Sequence, residues 1–353
     1  MRRLPNQFIV VLIAATALFG PLRPVSAQSG SVLTNTDKAF PGYTLIAPLG
    51  STETQLIDLK GDVVHRWQSE VRPGNSVYLL EDGSLLRTGK VTDSRVFALG
   101  GGSGGLVQRF SWDGELVWDY RYASDTHFQH HDIEPMPNGN VLMIAWEKKT
   151  QAEAIAAGRD PAKIGTERRG GGTEPMLWPE SIVEIQPDGK TGGKVVWKWS
   201  LWDHLVQDFD KTKANYGDPS KHPELVDLNF VRSSNPDWIH MNSVAYNAEL
   251  DQIIVSARWF HEVWIIDHST TTAEAASHEG GDSGKGGDLL YRWGNPYTYW
   301  AGFPDEQQLF GQHDAHWIPQ GCPGAGNLMV FNNGSARDGR SYSTVDEWSP
   351  PKQ

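Results

Sequence analysis

The stretch that decides the fold runs His130-His131-Asp132-Ile133-Glu134-Pro135-Met136-Pro137-Asn138-Gly139-Asn140-Val141-Leu142-Met143-Ile144. We predict a short strand over 133–136 and a tight turn over 137–140, because Asn-Gly supplies the positive φ angles that a hairpin turn needs. The residues 141–144 are all apolar, which predicts a second strand that is buried on both faces. Two histidines and an aspartate therefore stand just before a hairpin.

This hairpin recurs along the chain and alternates with a second kind. Copies of the first kind occupy 77–86, 130–144, 240–255 and 313–331, and three of the four begin with histidine. The second kind has a strand, a turn often built on Asp-Gly, and a strand that ends in tryptophan; the closing tryptophans are Trp67, Trp118, Trp197 and Trp293. Two hairpins make a four-stranded antiparallel unit, and radial repetition of such units is a β-propeller. The predicted fold class is therefore all-β, a β-propeller of four-stranded blades.

The repeats also set the predicted domain boundaries. One partial unit covers 43–67, and four further units cover 75–122, 131–200, 240–294 and 313–348. The last unit runs into Pro350-Pro351, so we expect an incomplete C-terminal blade and leave open whether the ring closes. Insertions are expected near 148–180 and 201–238. The first should hold a helix over 148–158 that ends at Gly158, and both should cover one mouth of the ring.

Composition and the N-terminus predict an exported protein. The net charge is -12, which argues against nucleic acid or an anionic membrane surface as a partner. A positive start, the apolar run 8–19 and Val25-Ser26-Ala27 predict a signal peptide over 1–27, with the propeller domain over 28–353. The protein should be periplasmic or secreted, without a membrane anchor after cleavage. Cys322 is the single cysteine, which excludes an intramolecular disulfide.

Three histidines are the candidate functional residues. His131, His240 and His313 each begin the first strand of a unit, and in a propeller such strands meet at one mouth of the central channel. Arg258 follows the second strand of the His240 unit. Converging imidazoles suit two chemistries: a divalent metal held by three histidines, or nucleophilic and acid–base catalysis on an anion. The remaining histidines are predicted to be structural or exposed: His65, His204, His222, His261, His268 and His278.

Several motifs in order resemble the bacterial arylsulfate sulfotransferase family. They are Gln129-His130-His131-Asp132-Ile133-Glu134, Asn138-Gly139-Asn140, His240-Met241-Asn242-Ser243, Gln312-His313-Asp314-Ala315 and Phe331-Asn332-Asn333-Gly334. The resemblance covers about 43–348. It implies a six-bladed β-propeller that moves a sulfuryl group from a phenolic sulfate ester to a phenol, with no nucleotide donor, no cofactor and no metal.

The resemblance also assigns roles to residues. His313 would be transiently sulfated, while His131, His240 and Arg258 would be further catalytic residues, and Asn242 and His130 would bind substrate. Either His131 or His240 would protonate the departing phenolate. Two alternatives remain: a metal-dependent propeller hydrolase that uses the three histidines with Asp132 or Asp314, and a non-enzymatic exported binding propeller.

We predict that His313, and not its neighbour His316, carries the sulfuryl group. In an extended strand, residues separated by an odd number face opposite sides. His316 should then pack between blades. Asp314 should point away from the site, so an acceptor from another blade must orient the His313 ring.

Overall fold

The described part of the protein is built almost entirely from antiparallel strands. The computed structural model describes residue 32 and residues 34–97, 100–169, 172–231, 235–335 and 337–351. The predicted signal peptide over 1–27 lies outside these residues. Helical residues make up 9% of the structure, so the predicted all-β class is confirmed. Within the described ranges, every helix is too short or too polar to cross a membrane.

Strands and helices follow one another in a regular order. The strands are β1 (Thr44–Ile46), β2 (Glu53–Ile57), β3 (Val63–Gln68), β4 (Pro73–Leu79), β5 (Leu85–Lys90), β6 (Gly105–Phe110), β7 (Leu116–Arg121), β8 (His127–Pro135), β9 (Val141–Glu147), β10 (Lys149–Thr150), β11 (Gly165–Arg169), β12 (Gly172–Leu177), β13 (Glu180–Asp188), β14 (Gly192–Ser200), β15 (Leu205–Val206), β16 (Val226–Asp227), β17 (Met241–Asn247), β18 (Gln252–Ala257), β19 (Glu262–Asp267), β20 (Tyr291–Trp293), β21 (His313–Trp317), β22 (Leu328–Asn332) and β23 (Thr344–Trp348). The α-helices are α1 (Gln151–Ala156) and α2 (Thr272–Ala275), and short 3-10 helices cover Pro161–Lys163, Leu201–Asp203, Pro219–Lys221, Pro296–Tyr299, Pro304–Glu306 and Arg337–Gly339.

Five antiparallel sheets account for most strands, and they coincide with the five predicted units. The first sheet holds β1 to β3, the second β4 to β7, the third β8, β9, β13 and β14, the fourth β17 to β20, and the fifth β21 to β23. Two small sheets lie in the predicted insertions: β10, β12 and β11 in the first, and the parallel pair β15 and β16 in the second. The helix predicted over 148–158 is α1. It starts at a capping box of Thr150 and Glu153, and Gly158, with a φ of 88°, follows its end. That the insertions cover a mouth stays a prediction.

Consecutive sheets share hydrophobic cores, which explains why strand β9 is apolar throughout. Leu142 and Ile144 pack into a core formed with the fourth sheet, while Val141 and Met143 pack into a core formed with the second. Further shared cores join the first sheet to the second and the fourth to the fifth. Burial of 141–144 on both faces is therefore confirmed, and the sheets stack face to face in chain order.

The tryptophan that ends each predicted second hairpin locks one sheet onto the next. The indole N–H of Trp67 donates to the carbonyl of Ser111 at 2.9 Å, and that of Trp118 donates to the carbonyl of Gly192 at 2.8 Å. In the third sheet, Trp197 donates to the hydroxyl of Thr270 at 3.1 Å. In the fourth, Trp293 stacks on Trp348 of the fifth sheet, with ring centroids 4.2 Å apart. These contacts give the repeated tryptophan a physical reason.

The first strands of the second to fifth sheets, β4, β8, β17 and β21, lie side by side in chain order. Side chains tie them together. Asp132 accepts hydrogen bonds from the Tyr78 hydroxyl at 3.0 Å and from the backbone N–H of Val244 at 3.1 Å, and the Ser243 hydroxyl accepts from the N–H of Ala315 at 2.9 Å. Sheets stacked face to face with their first strands together fit a β-propeller-like class.

Each of these first strands carries a β-bulge where the functional residues lie. The sequence predicted that His130 and His131 precede the strand. This is wrong, because strand β8 begins at His127 and both histidines lie inside it. Its pairing with β9 is interrupted between Gln129 and Ile133, and β4, β17 and β21 are interrupted at the corresponding places. Bulges redirect side chains and are frequent next to active sites.

The bulges also correct the predicted equivalence of the three histidines. Strand pairing resumes after the bulge at Ile133 in β8, at His316 in β21 and at Val244 in β17. His131 lies two residues before that point in its strand, His313 lies three residues before it, and His240 lies four residues before it. The true counterparts of His131 by register are Asn75, Asn242 and Asp314. His131 and Asp314 also share a left-handed backbone, with φ of 47° and 58°. The histidines converge, but from different positions in their bulges.

Candidate active site

The bulges gather residues from four sheets around one cavity of about 440 Å³. Its walls include Tyr78, His131, Asn242, His313 and Asp314. His131 and His240 lie with ring centroids 4.6 Å apart. Both histidines have positive φ, 47° and 57°, a strained conformation for a side chain with a Cβ that is typical of functional sites. The predicted convergence of the histidines is therefore present.

His313 is held with one ring nitrogen available. Its Nδ1 lies 2.6 Å from Oδ1 of Asn333, an acceptor, so Nδ1 carries the proton and Nε2 carries a lone pair. Burial lowers the pKa of His313, and Arg258 and His240 lower it further, which keeps the ring neutral. The sequence predicted an orienting acceptor from another blade; this is wrong, because Asn333 follows strand β22 of the same sheet. Asn333 belongs to a motif that the sequence had singled out without a role.

His240 is oriented by a buried carboxylate that sequence reasoning missed. Its Nδ1 lies 2.5 Å from Oδ2 of Asp237, which is 2% exposed. The other carboxylate oxygen of Asp237 is buried without a hydrogen-bond partner within the described residues. The second insertion delivers Asp237 just before strand β17, and a His–Asp spacing of three residues was the only available signal. The pair fixes Nδ1 of His240 as a donor, so that in the neutral ring Nε2 carries the lone pair.

His131 stands at the end of a buried chain of titratable groups. Its Nδ1 lies 2.9 Å from Nδ1 of His130, and Nε2 of His130 lies 2.8 Å from Oε2 of Glu180 on strand β13. His130 was predicted to bind substrate. The structure contradicts direct contact of His130 with a substrate, because the residue is fully buried and both of its ring nitrogens are in hydrogen bonds within the protein. Burial lowers the pKa of His130 to about 3 and that of His131 well below its usual range, while burial raises that of Glu180.

Arg258 supplies a positive charge that is not in a direct ion pair, although the Asp237 carboxylate acts on it from a greater distance. It directly follows strand β18, as predicted, and its backbone N–H donates to the carbonyl of His240 at 3.2 Å. Its guanidinium lies over the Trp259 ring, 4.1 Å from the centroid. Among the described residues, no carboxylate lies within ion-pair distance of this guanidinium. Its charge lowers the pKa values of both His131 and His313.

Asn242 lines the cavity, and part of its amide group is already used in a hydrogen bond within the protein. Its Nδ2 donates to the backbone carbonyl of Gln312 at 2.8 Å, so one amide hydrogen is used within the protein. Its Oδ1 is buried without a partner in the described part of the chain. Exchanging the two amide atoms would put two acceptors against each other. Asn242 therefore offers one remaining N–H and one free acceptor.

A glycine-rich loop between β5 and β6 covers the histidines, which the sequence analysis did not foresee. Gly102 has a φ of 71°, its carbonyl accepts the backbone N–H of His131 at 2.7 Å, and a Cβ there would overlap the His131 ring. A Cβ on Gly101 would lie 3.1 Å from Cε1 of His240. Only glycine allows this close approach. Four glycines among residues 100–104 were the signal that sequence reasoning left unused.

His316 and its neighbours lie around a second cavity of about 580 Å³. The prediction that His316 packs between blades is wrong, because its side chain lines this cavity and is 27% exposed. Its Nδ1 lies 2.9 Å from the carbonyl oxygen of Asp314, and the Asp314 carboxylate raises its pKa. Burial raises the pKa of Asp132 to about 7 and that of Glu134 to about 8 in the same cavity. The raised pKa makes the His316 ring a poorer neutral nucleophile than that of His313, whose pKa is lowered.

The three predicted histidines do not have metal-site spacing. In the described residues, the one group of donor atoms close enough to hold a metal ion is His204, His278 and Asp288, which lies outside the cavities described above. Nδ1 of His204 and Nδ1 of His278 lie 2.9 and 2.7 Å from one oxygen of Asp288. His65 and His268 are held by structural partners, as predicted: the ring of His65 stacks on Trp112, and His268 bonds two carboxylates.

A family model described as arylsulfotransferase (ASST) matches residues 167–349, more than half of the 353 residues. The chain belongs to the arylsulfotransferase family. The matched segment contains Glu180, His240, Asn242, Arg258 and His313, while His131 lies before it. The family membership predicted from the sequence motifs is therefore confirmed.

Comparisons with solved structures give weak similarities. A protein of unknown function from Bacteroides caccae has 11% identity and a TM-score of 0.41, covering 86% of this chain and 73% of that chain. Dihydro-heme d1 dehydrogenase NirN in complex with DHE has 10% identity and a TM-score of 0.34, covering 90% of this chain and 44% of that chain. No curated protein matches the chain. These similarities carry no argument about function.

Proposed function

We propose that this arylsulfotransferase-family protein moves a sulfuryl group from a phenolic sulfate ester to a phenol, through a sulfated His313. The observation that carries the proposal is the His313 imidazole, whose Nδ1 is bonded to Asn333 and whose Nε2 lone pair is free, with its pKa lowered by burial and by the positive charge of Arg258. A sulfate ester is an anion with an electrophilic sulfur, so it needs both a fixed positive charge and a nucleophile. Family membership supports a sulfotransferase in general; the phenolic substrates and the covalent step are our proposal.

In the first half-reaction, the Nε2 lone pair of His313 forms a bond to sulfur. The bond from sulfur to the aryl oxygen breaks, and its electron pair leaves with the phenolate, which takes a proton from a neighbouring imidazole. The proton on Nδ1 of His313 stays hydrogen-bonded to Asn333, which stabilises the positive ring of the sulfohistidine. In the second half-reaction a phenol attacks the same sulfur, the N–S bond breaks with its electron pair returning to Nε2 of His313, and the phenol gives its proton to the imidazole that donated one before.

Charge stabilisation follows the same geometry. Sulfuryl transfer resembles phosphoryl transfer, in which charge is spread over three equatorial oxygens and the enzyme chiefly positions and stabilises. Arg258 donates hydrogen bonds to these oxygens, and the remaining amide hydrogen of Asn242 adds another. Trp259, which is 38% exposed beside Arg258 and His240, offers a face on which an aryl ring can stack.

The metal-dependent hydrolase is the weaker alternative. It requires His131, His240 and His313 to bring three donor nitrogens together, and across the described ranges these three do not form such a group. A non-enzymatic binding propeller is also the weaker alternative. Asp237 and Asn333 each fix the tautomer of one histidine of the site, which catalysis requires and simple binding does not.

The same proposal extends to architecture and location. We propose that the five sheets are blades of a β-propeller of the six-bladed kind, with its channel mouth at the bulges of β4, β8, β17 and β21. We propose further that the protein is exported to the periplasm or secreted after removal of 1–27, because that segment has a positive start, an apolar run and small residues before Gln28.

Incubation with 4-nitrophenyl sulfate, with and without added phenol, tests the proposed reaction. The expected results are nitrophenol release that accelerates with phenol, formation of phenyl sulfate, and an intact mass increased by one sulfuryl group when phenol is omitted. A protein that never gains this mass and releases no nitrophenol would contradict the proposal. Treatment with a chelator should leave turnover unchanged, whereas loss of turnover that zinc restores would favour the hydrolase.

A further inference from the structure

A continuous chain of hydrogen bonds connects the site to a carboxyl group in the interior. Glu180 begins strand β13, and its Oε2 lies 2.8 Å from Nε2 of His130. His130 reaches Nδ1 of His131 at 2.9 Å through its own Nδ1. Glu180 and His130 are fully buried and His131 is 6% exposed, at the cavity. The His130 ring also stacks on the Trp146 ring, with centroids 3.9 Å apart, which prevents it from turning away.

With both imidazoles neutral, the hydrogen bonds allow two protonation states of this chain, which differ by one proton and by the charge on Glu180. A nitrogen that faces another nitrogen must either donate or accept, and a neutral imidazole has one of each. In the first state Glu180 is a carboxylic acid that donates to His130, His130 donates to His131, and Nε2 of His131 carries a proton. In the second state Glu180 is a carboxylate that accepts from Nε2–H of His130. Nδ1–H of His131 donates to Nδ1 of His130, and Nε2 of His131 carries no proton.

We propose that Glu180, His130 and His131 form a proton relay that supplies the proton to the departing phenolate and recovers it from the acceptor phenol. This inference rests on the sulfuryl transfer proposed above. As the bond from sulfur to oxygen breaks, Nε2–H of His131 passes its proton to the phenolate oxygen. Nδ1 of His131 takes the proton of His130 Nδ1, and Nε2 of His130 takes the proton of Glu180. The net change is one proton moved from Glu180 to the leaving group.

Burial explains why such a relay is needed. Both histidines lie where an imidazolium is strongly disfavoured, since burial lowers the pKa of His130 to about 3 and that of His131 well below its usual range. Burial and the nearby Asp237 raise the pKa of Glu180, which favours its carboxylic acid form. A concerted shift moves the proton without leaving a charge on either ring. The acceptor phenol drives the same shift backwards and restores the first state.

Glu180 contacts the substrate only through the two histidines, so it is a positioning and relay residue. The test compares Glu180→Gln with the wild type on 4-nitrophenyl sulfate and on phenyl sulfate. In the variant, the amide oxygen keeps the hydrogen bond from the N–H of Met241, which Oε1 of Glu180 accepts at 2.8 Å. The amide N–H₂ then donates to His130 and holds the relay in its first state, without a transferable proton.

The expected result depends on the leaving group. The comparison uses the first half-reaction alone, a single turnover without acceptor. 4-Nitrophenolate is weakly basic and leaves without a proton, so the rate of its release in this step should stay close to wild type in Glu180→Gln. Phenolate is strongly basic, and the rate at which phenyl sulfate sulfates the protein should fall by about 10²–10⁴-fold, the usual contribution of general acid catalysis. The matched control is Glu184→Gln, a buried carboxylate on the same strand outside the site, which should show the same ratio of the two substrates as wild type.

Two further readouts separate a relay from a structural effect. In mixtures of H₂O and D₂O, the wild-type rate on phenyl sulfate should depend on deuterium content with curvature, because several protons move together, and Glu180→Gln should remove that curvature. An equal loss on both substrates in Glu180→Gln would overturn the relay. A leaving-group effect in Asp237→Asn but not in Glu180→Gln would assign proton donation to His240 and overturn it too. A wild type that neither becomes sulfated nor releases nitrophenol defeats the proposed function itself, and the relay with it.

Discussion

His313 and His316 lie three residues apart, and their different hydrogen-bond partners give the two rings different reactivity. Nδ1 of His313 faces the acceptor Asn333, and burial lowers the pKa of this ring, so it is a neutral nucleophile. His316 faces the backbone and carboxylate of Asp314, which raise its pKa. A bulge separates the two residues and sends them to different cavities. The residue type alone does not decide which of them reacts.

Replacing each of these histidines by alanine gives the first prediction. His313→Ala should abolish both the sulfated protein and turnover, because the attacking nitrogen is lost. His316→Ala should keep both, and its unfolding free energy should change by about 0–1 kcal/mol, the scale of a partly exposed ion pair. Intact mass and peptide mapping after incubation with 4-nitrophenyl sulfate measure the outcome. A sulfuryl group mapped to His316 would refute the assignment.

His268 gives a pH-dependent prediction. Its two nitrogens lie 2.7 Å from Asp251 and 3.2 Å from Glu184, and these partners raise its pKa against the opposing effect of burial. A raised folded pKa means that the stabilising charge is complete below the unfolded value of about 6.5 and is lost as pH rises through the folded pKa. His268→Asn should therefore cost about 1–3 kcal/mol at low pH.

Denaturant unfolding of wild type and His268→Asn at about pH 6 and about pH 9 measures this effect. The difference in unfolding free energy should be larger at the lower pH. The control His222→Asn removes a histidine that pairs with Glu224 at an exposed position, and its effect should stay within about 0–1 kcal/mol. A difference for His268→Asn that grows with pH would refute the assignment of a charged ring.

At the scale of elements, bulges and one glycine-rich loop create the site. The bulged strands turn His131 and Asn242 to the cavity, and the loop between β5 and β6 lies directly on the His131 ring. A regular strand would place neighbouring side chains on opposite faces and would leave the histidines apart. The site therefore depends on backbone irregularities that repeat from sheet to sheet.

Gly102→Ala tests this role of the loop. The new methyl group must displace the His131 ring, and misplacement of a catalytic group by about 1 Å costs on the order of 10²-fold in rate. Gly114→Ala is the matched control, since Gly114 has a φ of 86° and nothing lies within 4 Å of its added Cβ. Both variants should lose about 1–2 kcal/mol through left-handed strain. Only Gly102→Ala should lose turnover, and equal turnover in the two variants would contradict the contact.

At the scale of the molecule, stability comes from cores shared by consecutive sheets and from the tryptophans that join them. Trp118 is 4% exposed and donates to Gly192 of the next sheet. Trp112, on the same sheet, is 45% exposed and has no hydrogen bond from its indole within the described residues. Because the cores connect the sheets in series, damage at one junction should lower the stability of the neighbouring sheets as well.

Trp118→Phe should lower the unfolding free energy by about 1–3 kcal/mol, because it leaves the partly buried Gly192 carbonyl without its donor. Trp112→Phe should change it by less than about 0.5 kcal/mol, as for an ordinary surface substitution. Fluorescence and far-UV circular dichroism during denaturant unfolding report the two values. Equal effects of the two substitutions would contradict the locking role of the indole N–H.

Much of the architecture could be predicted because turns and strands depend on short local sequence patterns. The Asn-Gly and Asp-Gly turns, the apolar run 141–144 and the closing tryptophans gave five units that coincide with the five sheets. Details that depend on the backbone were not predictable. Strand β8 begins at His127 and not at Ile133, since the bulge hides the alternation on which strand prediction rests.

The sequence by itself determined the all-β class, the order of the units, the family and the convergence of His131, His240 and His313. Only the tertiary structure decided what each of these rings can do. The tautomer of an imidazole is set by the partner of its second nitrogen. Asn333, the partner of His313, lies 20 residues away in sequence, and Glu180, which acts on His131 through His130, lies 50 residues from His130. Hydrogen bonds across such separations leave no periodic trace in a single sequence, because folding alone brings the two groups together.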